Sequence, residues 1–419
     1  MTKNRRVVIT GLGSITPLGN SVDVFWKNIK SGQSGAGPIT VFDASRFKTK
    51  FACEVKDFDP LEYIENNKEL RKLDKFSVFA LAATKQAFKD SGVQLEKIEP
   101  EKAGVIWGSG IGGLDTFYKE AKNLIESTGS PRMSPFFIPK MISDIAAGLI
   151  SMKYNFQGPN YATVSACASS SHAIINSYNY IKNHNYDIFI TGGSEASVTE
   201  MGVGGFNALH ALSTRNDDPK TASRPFDQNR DGFVLGEGAG CLILEELEHA
   251  KKRGAKIYAE IIGSASNADA HHITAPHPEG RGAKKVMQQA IENSKINSKS
   301  IDYINVHGTS TPLGDLAEIN AIINVFKDHA YSLEISATKS MTGHLLGAAG
   351  AIESIICIKS INENYVPPTI NNKTLDSEIN PKLNLNLNKG KEKKINTAIC
   401  NTFGFGGHNT SVIFKKYTD

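Results

Sequence analysis

The chain has 419 residues, of which 40% are hydrophobic and 21% charged, and a formal net charge of +4. That is ordinary globular composition with ample length for a large core, and the length favours two or three domains. The charge is too mild to point to nucleic acid, and no run approaches the roughly 20 apolar residues of a membrane span.

In chain order, the basic tip MTKNRR leads into Val7 to Thr10, which reads as a strand ended by a Gly11-Leu12-Gly13 turn. Those glycines and Pro17 break the apolar run, so it does not read as a signal peptide. Lys68 to Asp90 reads as one helix with an apolar stripe through Leu73, Phe76, Ala80, Ala83, Ala87 and Phe88. Its first turns carry Lys68, Arg71, Lys72 and Lys75, either a solvated face or a docking patch. Gly104 to Trp107 is a predicted strand, followed by GSGIGG and a helix over 114–126. Gly108, Gly110 and Gly113 match the dinucleotide spacing GxGxxG. No second strand ending in an acidic residue follows about 20 positions on, so tight turns and close packing account better for these glycines.

The stretch NYATVSACASSSHA, Asn160 to Ala173, is the organising element. Tyr161 to Val164 predicts a short strand, and Cys167 to Lys182 has helical spacing. Cys167 is thus expected at a strand-to-helix elbow, in the first turn of the helix. Free N–H groups and the helix dipole there would favour the thiolate. The other reading of such a cysteine is a small buried hydrophobe. The five cysteines (Cys53, Cys167, Cys241, Cys357, Cys400) form no CxxC pair, which fits a reducing compartment.

Further on, Asp187 to Thr191 predicts a strand ending in Gly192-Gly193-Ser194-Glu195. RPFDQNRDGFVLGEGAG holds Arg224, Asp227, Arg230 and Asp231, which read best as a structural ion-pair cluster. The basic stretch Glu246 to Gly254 marks a boundary. Beyond it come strands at 257–263 and 303–306, a helix at 284–294, an Asn/Lys-rich loop at 371–394, and closing strands at 395–401 and 411–414. Alternating strands and helices predict an α/β fold with mixed, mostly parallel sheets. His307 ends a strand in INVHGTSTPLGD, where α/β proteins place ligands. His344, in TKSMTGHLLGAAGAIES, is expected beside a helix N-terminus that keeps the imidazole neutral and able to donate to an oxyanion. Either histidine alone would read as a satisfied core residue. The three histidines of DAHHITAPHP lack an acidic partner at ligand spacing, so no metal site is predicted.

VVITGLG, SACASSSHA, GGSEA, RPFDQNRDGFVLGEGAG, VHGTSTPLGD, TKSMTGHLLGAAGAIES and NTFGFGG follow one another over the whole chain. In that order they resemble the β-ketoacyl-acyl-carrier-protein synthases, class II, of the condensing-enzyme (thiolase-like) superfamily. The resemblance implies two similar βαβαβαββ halves packed as a five-layer αβαβα sandwich. Residues 1–255 would carry Cys167; residues 256–419 would carry His307, His344 and the glycine-rich gate turn. It implies Cys167 as acyl-accepting nucleophile, His307 and His344 as the pair that hold the malonyl thioester carbonyl, and Lys339 and Glu353 as supporting charges. It further implies an oxyanion hole from the N–H groups of Cys167 and Phe403, with Phe403 as gate, and phosphopantetheine contacts at Thr309 and Thr311. Asp269 and Thr274 would belong to a second gating loop. Ile111, Phe137 and Phe206 would shape the acyl pocket, Phe137 reaching in from the partner subunit of a homodimer. Lys68, Arg71 and Lys72 would dock an acidic acyl carrier protein, which brings the phosphopantetheine; no resident cofactor is implied. The expected reaction is decarboxylative condensation in the cytoplasm, with a polyketide-type ketosynthase or a thiolase as alternatives. Ser165, Asn207, His210 and His408 depart from the family's commoner residues.

Overall fold

The computed structural model describes residues 5–130 and 132–418. Ten strands form one sheet: β1 (Val7–Ile15), β2 (Ala103–Gly108), β3 (Asn160–Thr163), β4 (Ile188–Glu195), β5 (Gly238–Glu246), β6 (Ala259–Ala268), β7 (Tyr303–Asn305), β8 (Glu334–Ser336), β9 (Thr397–Gly404) and β10 (His408–Lys415). The first five run in the order 1-5-4-2-3 and the last five in the order 6-10-9-7-8. The second order is the first shifted by five, so the halves share one topology. Antiparallel pairing of Val7–Ile9 with Ala259–Ile261 joins β1 to β6 at the seam.

Within the ten-stranded sheet, parallel pairing of strands is confined to β2 with β3 and β4, and to β7 with β8 and β9. The expectation of mostly parallel sheets is corrected here. The last strand of each half lies antiparallel between the first and fourth, a pairing that needs no crossover helix.

Six helices repeat the same programme: α1 (Lys75–Ser91), α2 (Ile145–Tyr154) and α3 (Ser169–Asn183) in the first half, α4 (Arg281–Ser294), α5 (Pro312–Phe326) and α6 (Ala349–Glu363) in the second. The helices α3 and α6 lie between the two half-sheets, where Ile174, Ile175 and Tyr178 meet Ile352, Ile355 and Ile356 in the largest core cluster. The helices α1 and α2 cover one outer face around Phe76, Phe79 and Trp107, and α4 and α5 cover the other around Met287, Ile304 and Ile322. This gives the five layers of a thiolase-like fold. Among the described residues no helix is long and apolar enough to cross a membrane.

Two boundaries differ from the sequence reading for clear physical reasons. β1 does not stop at Gly11. A Cβ at Gly11 would lie 2.2 Å from the Ala87 carbonyl oxygen, and one at Gly13 2.0 Å from that of Ala83. The glycines admit α1 against the strand rather than ending it. The expected helix over 68–90 is broken into Asn67–Leu70 and α1, because Asp74 caps the new helix by accepting from the Phe76 N–H.

Candidate active site

The parallel strands of both halves end on one cavity of about 530 Å³. Its lining includes Gly110 and Ile111 after β2, Cys167 after β3, His307 to Thr309 after β7, His344 after β8, and Phe403 to Phe405 at the end of β9. Ligand sites in α/β folds collect at such strand ends.

The nucleophile elbow is held by local hydrogen bonds. Ala166 has φ +50°, a conformation that costs a non-glycine residue about 1–2 kcal/mol. Ser169 Oγ accepts from the Ser165 N–H at 3.0 Å and donates to the Ala166 carbonyl at 2.7 Å, which fixes the bend. Gly404 packs so closely on the elbow that a Cβ there would lie 3.1 Å from the Cys167 nitrogen. Cys167 precedes the N-cap Ala168 of α3 and is not within its first turn. The expected low thiol pKa is corrected as well. Burial pushes the Cys167 thiol up to about 12, against opposing pulls from the Lys339 ammonium and the N–H groups of Phe405 and Cys167 itself. Cys167 therefore rests as a thiol, and His344 Nε2 lies 3.0 Å from its Sγ.

His344 lies just before a helix N-terminus, next to Leu345, the N-cap of the 3-10 turn Leu346–Ala348 that runs into α6. Its N–H donates to Val234 O at 2.7 Å and its carbonyl accepts from the Gly236 N–H at 2.9 Å, so it is clamped in an extended segment. Burial first, and then Lys339, keep its imidazole neutral at pH well below the usual histidine range. Its Nδ1 is buried without a hydrogen-bond partner, so no neighbour locks the tautomer. Burial, Lys339 and His344 likewise keep His307 neutral. Lys339 Nζ donates to His307 O at 2.6 Å, lies 3.3 Å from His307 Nδ1, and pairs with the buried Glu353 carboxylate. An ammonium on Nδ1 leaves the His307 proton on Nε2, which makes that nitrogen a donor. Cys167, His307 and His344 bring their ligand-type atoms within 4.8 Å of one another, but the Lys339 ammonium against His307 opposes a metal cation there.

The remaining predicted residues fall into place unevenly. Thr309 and Thr311 line the cavity with their hydroxyls 2.9 Å apart. Asp269 accepts from Asn409 Nδ2 at 2.8 Å, its N–H donates to Gly407 O at 2.9 Å, and the Gly406 N–H donates to Ile273 O at 2.7 Å. The loop bearing Asp269 and Thr274 is therefore fastened to the glycine turn, and both line the cavity. Ile111 and Phe206 also line it, Phe206 packing edge-on against Phe233. Phe137 does not: it starts a short helix, with its ring 6.5 Å from Phe117. Lys68 and Arg71 are exposed, and Lys72 is paired with Glu69 at 2.6 Å. The structure favours Phe405 over Phe403 for the backbone donor. Phe403 is a ladder residue opposite Asn409, with its ring 5.8 Å from His307, whereas it is the Phe405 N–H that helps pull the Cys167 thiol pKa down.

The sequence reading also missed two buried carboxylates. Glu318 on α5 accepts from the N–H groups of His307 and Gly308, both at 2.9 Å. Its position one helical turn after Asp315, on the buried face of α5, was the available signal. Glu195, the fourth residue of GGSEA, accepts from Gly110, Ile111 and Gly347 N–H groups. Arg224, Asp227 and Arg230 make the structural ion pairs expected of them, Arg230 with Asp376 at 2.6 Å and Asp315 at 3.4 Å.

Residues 4–250 match the family described as beta-ketoacyl synthase, N-terminal domain, and residues 258–373 match the C-terminal domain of the same family. The chain is 48% identical over 417 residues to the 3-oxoacyl-[acyl-carrier-protein] synthase 2 of Coxiella burnetii, covering 100% of each chain. It is 45% identical to the protein of that name from Synechocystis, covering 99% of each. Among solved structures, a beta-ketoacyl synthase from Burkholderia phymatum superposes with a TM-score of 0.91 at 35% identity, over 99% of this chain and 100% of that one. A type II polyketide ketosynthase in complex with its acyl-carrier protein gives 0.90 at 32% identity, with the same coverage.

Proposed function

The chain belongs to the β-ketoacyl synthase family, and on that premise we propose that it is a class II 3-oxoacyl-acyl-carrier-protein synthase that elongates fatty acids by two carbons. The observation that carries the reading is the Cys167 sulfur 3.0 Å from His344 Nε2, with His307 completing the group at the floor of the cavity.

In the first half-reaction Cys167 attacks the thioester carbonyl of an acyl carrier protein. His344 Nε2 takes the thiol proton and returns it to the departing phosphopantetheine thiolate, so the proton balances. The N–H groups of Cys167 and Phe405 receive the oxyanion. In the second, malonyl carrier protein enters and loses carbon dioxide. His307 Nε2–H, held in that tautomer by Lys339, stabilises the enolate oxygen together with His344, whose single ring proton moves from Nδ1 to Nε2 between the half-reactions because no neighbour locks its tautomer. The enolate carbon attacks the acyl-cysteine, the Cys167 sulfur departs as a thiolate and takes one proton from solvent, and a 3-ketoacyl carrier protein leaves. Two imidazoles that remain neutral suit this work, since each must donate without first losing a charge.

Acyl carrier protein docks by the exposed Lys68 and Arg71, and its phosphopantetheine passes Thr309 and Thr311. The protein acts in the cytoplasm as a homodimer, with Phe137 serving the acyl pocket of the second copy. Exposed Phe117, Phe136 and Ile138, at 45%, 39% and 55%, supply an apolar face for that pairing. Domain 1–255 presents the nucleophile and domain 256–419 the histidines and the gate.

Incubation with acyl and malonyl carrier proteins, followed by intact-mass analysis, tests this. The expected products are acyl-Cys167 and then a carrier-bound ketoacyl chain two carbons longer, with one carbon dioxide released. Acylation without condensation would reduce the protein to an acyltransferase. Likeness to polyketide ketosynthases keeps one second reading, and repeated condensation without intervening reduction would favour it. The thiolase alternative wants a second cysteine in the cavity, whereas Cys400 is buried in β9 with its thiol toward Gly350 O.

A further inference from the structure

Resting on the reading of the cavity as an acyl-binding site, we infer that Glu195 is a positioning residue that sets acyl-chain selectivity by bracing the Ser109–Ile111 wall of the pocket against the Leu346–Gly347 segment. The carboxylate is fully buried at the end of β4. One oxygen accepts from the Gly110 N–H at 2.8 Å and the Gly347 N–H at 3.1 Å. The other accepts from the Ser109 hydroxyl at 3.2 Å and the Ile111 N–H at 3.3 Å. No salt bridge to Glu195 is present among the described residues, so its partners are neutral donors from both halves of the chain.

The surrounding sequence is shaped to admit it. A Cβ at Gly110 would stand 2.9 Å from Glu195 Oε2, and one at Gly347 2.7 Å from the same atom. Both glycines are needed where the backbone closes on the carboxylate. Burial pushes the carboxyl up to about 7, while the four donors pull the other way. Keeping a carboxyl in so dry a place is costly. A core built only for stability could join these two segments with apolar contacts. What the carboxyl does instead is fix two backbone segments that meet the substrate: Ile111 and Leu346 both line the cavity. His344 is held independently, by Val234 and Gly236. The brace therefore bears on the acyl wall and not on the histidine that serves the malonyl step.

Glu195→Gln tests this with little change of volume. Its amide oxygen can serve Gly110 and Gly347. Its amino end can donate to the Ser109 hydroxyl but faces the Ile111 N–H donor to donor, so Ile111 loses its acceptor. Glu195→Asp keeps the charge but is one methylene too short to span both segments. For each variant, rates of Cys167 acylation are measured across short, medium and long acyl carrier proteins, beside carbon dioxide release from malonyl carrier protein. The expected result is a shift of roughly five- to tenfold in the long-to-short ratio, the scale of one lost buried hydrogen bond, with decarboxylation within about twofold of wild type. An equal fall at every chain length, or a loss confined to melting temperature, would reduce Glu195 to a structural residue and overturn the inference. If the glutamate variants do not fold, Ser109→Ala removes one donor gently and must shift the same ratio in the same direction; an unchanged ratio refutes the inference. Wild-type protein that accepts no acyl group at any length would instead overturn the acyl-site reading itself.

Discussion

The two histidines are separable by half-reaction, and the geometry says how. Only His344 touches the nucleophile, with Nε2 3.0 Å from Cys167 Sγ. His307 is turned toward Lys339 and reaches the reaction through its other nitrogen. His307→Ala removes one preorganised donor to the enolate oxygen. Such a loss commonly lowers rate about 10²–10³-fold, or roughly 2.7–4 kcal/mol. Carbon dioxide release should fall by that factor, while acylation of Cys167 stays within about threefold because the sulfur's base and oxyanion donors remain. His344→Ala removes a donor in one step and the base in the other. Both should fall, acylation by about 10²–10⁴ for want of the base. The thiol, held up to about 12 by burial, cannot compensate by ionising near neutral pH. The assay pairs intact-mass detection of acyl-enzyme with carbon dioxide trapping for each variant at fixed pH. Equal acylation rates in His344→Ala and wild type would refute the base assignment. Near wild-type decarboxylation in His307→Ala would remove it from the enolate site.

Brief iodoacetamide treatment should label Cys167 first, because it alone of the five cysteines lines the cavity; peptide mapping that finds another thiol labelled first contradicts this. Charge reversal of Lys68 and Arg71 to glutamate should raise the KM for carrier-bound substrate several-fold at low salt and leave Cys167 alkylation unchanged, as expected for exposed rim charges. An unaltered KM returns them to a solvated surface. Lys339→Met strands the Glu353 carboxylate in the core, which typically costs about 3–5 kcal/mol, and the double variant Lys339→Met/Glu353→Gln should recover most of that melting temperature while remaining inactive. A double variant no more stable than the single one would show that the pair is not the source of the loss.

Much of this was legible in the sequence because the functional residues sit where local pattern is strongest. Cys167 lies between a short strand and a small-residue helix, and His307 follows a buried strand, so each could be placed at a strand end from periodicity alone. The misplaced features depend on contacts between distant segments. Whether Gly11 ends a strand or admits a helix is decided by Ala87, 76 positions away in the sequence. Choosing Phe405 over Phe403 requires knowing where the β9–β10 ladder stops, and two phenylalanines separated by a glycine look alike until the register is fixed. The thiol pKa went astray because a helix terminus is a local signal and burial is a global one. Here burial wins.

The repeated topology explains why the chemistry needs both halves. β2, β3 and β4 carry Ile111, Cys167 and Glu195 at or beyond their C-terminal ends, and β7, β8 and β9 carry His307, His344 and Phe405 beyond theirs. These are equivalent strands of the two halves, with different residues at equivalent places. In the reaction proposed above, one half holds the electrophile, through the cysteine and the acyl wall. The other half in that proposal generates the carbanion, through two neutral imidazoles and the lysine that orients one of them. Because α3 and α6 pack against each other in the central layer, the two sets face one another across a rigid core rather than across a hinge. Preorganised donors lower a barrier only if they do not have to move to meet the charge. A buried helix pair between the two sets meets that requirement, while at the mouth the Asp269 loop and the glycine turn are hydrogen-bonded to each other.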